Sequence, residues 1–210
     1  MLEVLPQIYV IPANGQKGFG YSHFVRLPAG NVLLARLNKA SLSDAFADLG
    51  DAGGVRWVLV SDRHFGSPGC REVADRFDAS LVASKIEAGA IAHRCRFDET
   101  LAFERQQIGD GGDIEAIPTP GHTKGQMAYL ITVDGSRCLF AGDFAYRTKG
   151  KWRPGNKSRR VMTKGMENLR DVEFDYYIGC ADYGESDSFV RVSDGIDDVA
   201  DDILAACTRD

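Results

Sequence analysis

The sequence predicts a mixed α/β domain, and three observations carry that prediction. Residues 55–61, VRWVLVS, form an apolar run of strand length, the pattern of a strand covered on both faces. A helical segment, GCREVADRF, and a second strand, ASLVAS, follow it, giving β-loop-α-β order. Ahead of this unit lie short segments rich in β-branched and aromatic residues, separated by turn signals.

Taken in order, IYVIP, SHFVRLP and NVLLARL read as strands, with Pro28-Ala29-Gly30-Asn31 as the hairpin turn between the last two. Ser41 and Ser43 can cap a helix that runs to Leu49 with Leu42, Ala45, Phe46 and Leu49 on one face. Gly53 and Gly54 end that unit. Beyond ASLVAS, the segments GDIEAIPTP, GQMAYLITV and SRCLFAGD read as three strands. A helix is expected from Ser158 to Leu169, a strand at FDYYIG, and a closing helix from Val192 to Ala206 with Ile196, Val199, Ile203 and Leu204 inward. There is no internal repeat or low-complexity linker, so residues 1–210 are read as one domain.

Composition narrows the function classes. The formal net charge of -5 argues against broad, non-specific nucleic-acid binding, which wants a basic surface. No stretch reaches the ~18 apolar residues of a membrane span. The start, MLEVLPQIYVIPANG, lacks the pattern of a secretory signal. Five cysteines, widely spaced and without a CxxC, suit reduced thiols in a cytoplasm better than a zinc ribbon or a disulfide framework.

Three segments place ligand-type side chains just after a strand, where α/β folds gather their sites. They are Val58-Leu59-Val60-Ser61-Asp62-Arg63-His64-Phe65-Gly66-Ser67, then Pro118-Thr119-Pro120-Gly121-His122-Thr123-Lys124-Gly125, then Leu139-Phe140-Ala141-Gly142-Asp143. Two imidazoles and two carboxylates on loops suit Zn, Fe or Mn.

TPGHTKGQMAYLI followed by LFAGD, in this order of elements, resembles the metallo-β-lactamase superfamily, which includes glyoxalase-II-like thioesterases. The resemblance implies a four-layer αββα sandwich, with His122 as a metal ligand and Asp143 as the bridging aspartate. It also exposes departures. Where the family carries HxHxDH this chain has DRHFGS, so Asp62 stands for the first histidine and His64 is the second. Gly66 and Ser67 replace the following Asp-His pair. The family's late histidine is missing, and Ile178-Gly179-Cys180-Ala181-Asp182 stands there. One metal position thus has Asp62, His64 and His122 as potential ligands. The other has only Asp143, with Cys180 or Asp182 as substitutes.

Two function classes stay open. One is a hydrolase of an ester, thioester or similar small anionic substrate using one metal ion, with Asp143 as the base. The other is a binding or regulatory module of the same fold without metal or catalysis, in which Asp62 and Asp143 bind loop backbone and His122 is an inherited buried histidine. The basic segment from Arg147 to Lys164, whose first half reads as loop from Gly150, Pro154 and Gly155, offers Arg147 and Arg153 as contacts for an anionic ligand. Its competing role is to pair with the acidic C-terminal helix. His23 and Cys70 are read as packing residues, His93 as exposed and Trp152 as packed.

Overall fold

A computed structural model describes residues 1–11, 21–34, 39–179 and 189–208, with backbone alone for 39–44. The first sheet holds seven strands in chain order: β1 (Leu2–Leu5), β2 (Ile8–Ile11), β3 (Ser22–Val25), β4 (Val32–Leu34), β5 (Trp57–Leu59), β6 (Ser80–Ser84) and β7 (Glu99–Leu101). The first four pair antiparallel, and β4 to β7 pair parallel. The change of direction follows from the connections, because α1 (Lys39–Asp51) and α2 (Pro68–Phe77) are the crossovers that parallel neighbours need. Ser67 caps α2 by accepting a hydrogen bond from the Cys70 amide at 3.3 Å, and Pro68 supplies a preset first turn. A short α3 (Lys85–Ala90) follows β6.

The second sheet runs in the order β15 (Phe189–Arg191), β14 (Tyr176–Gly179), β11 (Ser136–Gly142), β10 (Met127–Val133), β9 (Ile114–Pro118), β8 (Gln106–Gln107). Strict alternation along β10 sends Met127, Tyr129 and Ile131 to the first sheet and Ala128 and Leu130 to the outer face. On β5 the same alternation sends Trp57 and Leu59 between the sheets, and Val58 toward α1 and α2. The buried residues therefore form three apolar layers: helices on sheet, sheet on sheet, and sheet on α4 (Arg159–Glu167) and α5 (Asp197–Ala205). This is the expected αββα sandwich. The expected helices and strands are all present, though α5 begins five residues later than expected. No helix among the described residues is long and apolar enough to cross a membrane.

One expectation is corrected. The segment after Asp143 is not loop but a hairpin of β12 (Ala145–Thr148) and β13 (Lys151–Pro154). Lys149 and Gly150 both take positive φ, 50° and 70°, which is the two-residue turn that matches strand twist. Trp152 is buried here and meets Tyr177 edge-on at 5.2 Å, so its role is packing.

Candidate metal centre

Each candidate ligand leaves the end of a strand. Asp62 and His64 follow β5, His122 follows β9, and Asp143 follows β11. The two sheets are tied at this edge by the Met127 amide donating to the Ser61 carbonyl at 3.0 Å and by the Tyr129 hydroxyl donating to Val60 at 2.9 Å. The expected set therefore converges. Ligand atoms of Asp62, His64 and His122 all lie within 4.8 Å of one another, and His122 Nε2 is 3.9 Å from an Asp143 carboxylate oxygen.

Asp62 is fully buried. Its Oδ1 accepts the His64 amide at 2.8 Å and lies 3.1 Å from His64 Nδ1, while its Oδ2 is buried with no hydrogen-bond partner. An orphaned carboxylate oxygen is costly in a protein interior, and a cation removes the cost. The Asp62 hydrogen bond raises the His64 pKa above its ordinary value against the opposing effect of burial, and the charges of Asp62 and Asp143 add to the rise.

His122 is oriented from behind. Its Nδ1 lies 3.1 Å from the Gly155 carbonyl, so a proton there leaves the Nε2 lone pair facing Asp62 and His64. Nε2 is 3.0 Å from His64 Nδ1. Gly155 has no room for a side chain, since a Cβ would lie 2.1 Å from the Asp143 carbonyl oxygen and 3.0 Å from the His122 Cβ. Buried Gln126 accepts the His122 amide at 3.2 Å and donates to Ala141 at 3.2 Å, which locks the histidine loop to β11.

Sequence reasoning missed the group that holds the two ligand loops together. Glu87, fully buried in α3, accepts from the Arg63 amide at 2.8 Å, from Arg63 Nε at 2.8 Å and Nη2 at 3.0 Å, and from the Gly125 amide at 2.8 Å. Ser84 caps α3 and donates to the Gly125 carbonyl at 2.6 Å. The available signal was Ser84-x-x-Glu87, a helix-start pattern, although here the glutamate reaches outward and not back to its own helix.

The second metal position is built differently. A Cβ at Gly66 would lie 2.2 Å from Ile91 Cδ1 and 3.4 Å from the Phe97 ring, so apolar packing fills the place of the aspartate side chain. Ser67 is committed to capping α2. Cys180 and Asp182 lie outside the described residues. Arg147 and Arg153 sit on the β12–β13 hairpin, and neither lines the groove of about 610 Å³ around His64 and His122. Among the described residues, Arg153, Lys157, Arg160 and Lys164 form no ion pair with α5. His93 is exposed, and Cys70 and His23 are buried, as expected.

No family model matches the chain. Solved structures do. A metallo-β-lactamase of Cronobacter sakazakii with a HARLDQ motif superposes with TM-score 0.64 at 18% identity, covering 86% of this chain and 77% of that one. A class B3 di-zinc metallo-β-lactamase from an Alaskan soil metagenome superposes with TM-score 0.63 at 17% identity, covering 96% and 88%. The chain has the metallo-β-lactamase fold. Letter by letter, HARLDQ keeps the first histidine and the aspartate of HxHxDH, whereas DRHFGS in this metallo-β-lactamase-fold protein keeps the second histidine. In sequence, 107 residues are 32% identical to a hydroxyacylglutathione hydrolase of Acidiphilium cryptum, 50% of this chain but 42% of that protein. The chain thus spans less than half the length of this curated relative.

Proposed function

We propose that this protein is a hydrolase of an ester or thioester that uses one metal ion, Zn, Fe or Mn, held by Asp62, His64 and His122. The observation that carries the reading is the buried Asp62 carboxylate, whose Oδ2 has no hydrogen-bond partner and whose ligand atom lies within 4.8 Å of those of His64 and His122. Carboxylate and imidazole together suit these ions.

A metal ion bound there supplies Lewis acidity and brings the pKa of a coordinated water toward ~7. The residues of the chain do the rest. Gly155 holds the His122 tautomer that leaves Nε2 unprotonated. Asp143, only 7% exposed and beside His122, accepts a proton from the attacking water and returns it to the leaving group. Glu87 keeps the His64 and His122 loops at fixed separation. The likeness to a hydroxyacylglutathione hydrolase puts thioesters of that kind first among substrates to try. A non-catalytic binding role is the second reading, and the observation on its side is the apolar filling beside Gly66.

Elemental analysis of freshly purified protein, paired with thioester hydrolysis, tests the proposal. About one metal equivalent in wild type, lost together with activity in Asp62→Ala and His122→Ala, is the expected result. Metal-free protein that stays so in excess metal, and hydrolyses nothing, would overturn it.

A further inference from the structure

The groove around His64 and His122 does not end at the metal centre. A second groove of about 790 Å³ shares Pro120 and Val161 with it and runs along α4 past Arg159, Arg160 and Lys164 to Glu167. The combined space suits a ligand much longer than a simple ester. The charge along it is unbalanced. Arg159 donates to the Leu204 carbonyl at 3.4 Å, but Arg160 and Lys164 have no carboxylate partner among the described residues, and Glu167 lies beyond ion-pair distance of both. The first turn of α4 contains no acid, so Arg159 and Arg160 add positive charge to the end of the helix that is already positive. Sequence position makes Arg160 and Lys164 neighbours on one face, about 6 Å apart along the axis. Lys124 adds a further cation to the groove around the histidines.

Arg159 and Arg160 stand at the positive end of the helix dipole, an arrangement that a bound anion relieves, while Lys164 in the last turn extends the same cationic face along the groove. Resting on the hydrolase reading above, we propose that Arg160 and Lys164 form a subsite for the far end of the substrate's leaving group, which ends in two or more negative charges of phosphate or carboxylate type. The guanidinium of Arg160 takes one anionic centre through two parallel hydrogen bonds, and Lys164 takes the next one along the helix. The reacting carbonyl then lies at His64 and His122, with the connecting chain over Pro120 and Val161.

Calorimetric titration with inorganic pyrophosphate and with succinate tests this on the whole chain. Wild type is expected to bind at least one of the two saturably, and the preferred probe identifies the anion type. Arg160→Gln with Lys164→Gln should weaken that binding by about tenfold or more, as expected for lost charged hydrogen bonds, at unchanged melting temperature. His122→Ala should leave it within about twofold, because the subsite is separate from the metal ligands. Binding that disappears in His122→Ala but survives in the double variant would overturn the proposal, as would absence of saturable binding to wild type. A metal-free, inactive protein that still binds through Arg160 and Lys164 would sink the hydrolase reading and keep the subsite.

Discussion

Arg63 and Glu87 are joined by three hydrogen bonds of 2.8, 2.8 and 3.0 Å, and the same carboxylate takes the Gly125 amide at 2.8 Å. One buried side chain therefore fixes the distance between the loop that carries His64 and the loop that carries His122. Removing the carboxylate takes the acceptor from the Arg63 and Gly125 amides, while the partly exposed Arg63 guanidinium can still meet water, so Glu87→Ala should cost about 2 kcal/mol in chemical denaturation. It should also weaken metal binding by roughly tenfold or more, as for other groups that orient ligands without touching the ion. A drop in stability with metal affinity unchanged would make Glu87 a packing residue only.

The same pair gives a pH signature. Burial pushes the Glu87 carboxyl up, but hydrogen bonds from Arg63 and Gly125 outweigh it and hold the pKa below its ordinary 4.5. A depressed carboxylate stabilises the fold above the unfolded value and loses that contribution as pH falls through the folded one. The stability gap between wild type and Glu87→Gln should thus be constant above about pH 5 and shrink below about 4.5. A gap that widens on acidification would contradict this.

Much of this is legible in the sequence because the signals are local. His122 and Asp143 sit in short motifs, and the αββα layering follows from alternation along strands such as β10. Glu87 is illegible there because its partners are 24 and 38 residues away. Nothing near it in the chain says which loop it will hold. The β12–β13 hairpin has a local signal in Lys149-Gly150, but Gly150, Pro154 and Gly155 also describe a loop. The pairing of Tyr146 with Arg153 and of Arg147 with Trp152 decides between them. In the sequence Gly155 reads as a turn residue, whereas its necessity comes from a close approach to Asp143 that only the folded chain brings about.

Gly155→Ala tests that approach. The added methyl meets backbone at 2.1 Å, which cannot swing aside as a side chain can. Overpacking of this kind should cost about 2 kcal/mol. Because the Gly155 carbonyl orients His122, metal affinity should fall with it. Unaltered metal binding would show that His122 does not depend on this carbonyl.

His23 supplies an independent check on the core beneath the site. It is 1% exposed, its Nε2 has no partner, and its ring faces Phe140 and Phe189 edge-on at 5.4 and 5.7 Å. Burial lowers its pKa from 6.5 to about 3. The unfolded chain then takes up a proton that the folded chain refuses, so stability is full above 6.5 and declines as pH falls toward 3. At pH 5 the loss attributable to His23 is about 2 kcal/mol. His23→Leu should remove that part of the acid sensitivity, measured as the difference between the two proteins at pH 7 and pH 5. Parallel pH profiles would show that the imidazole is charged or solvated in the fold.

Rebuilding the second metal position is the sternest test of how this site departs from HxHxDH. By motif alone, Gly66→Asp with Ser67→His restores two ligands. The structure adds two obstacles. Ile91 Cδ1 stands 2.2 Å from where a Cβ on Gly66 would be, and replacing Ser67 removes the N-cap of α2. Loss of the cap alone costs about 1 kcal/mol. The double variant should therefore be less stable than wild type and take up little additional metal. Ile91 is a side-chain obstacle, so Ile91→Ala in the same background clears space for the carboxylate. The triple variant should bind more metal per chain than the double variant, read by elemental analysis after dialysis. It should remain less stable than wild type, because truncating a buried isoleucine adds about 2 kcal/mol or more to the loss. Equal metal content in the double and triple variants would show that Ile91 is not what keeps the second ion out.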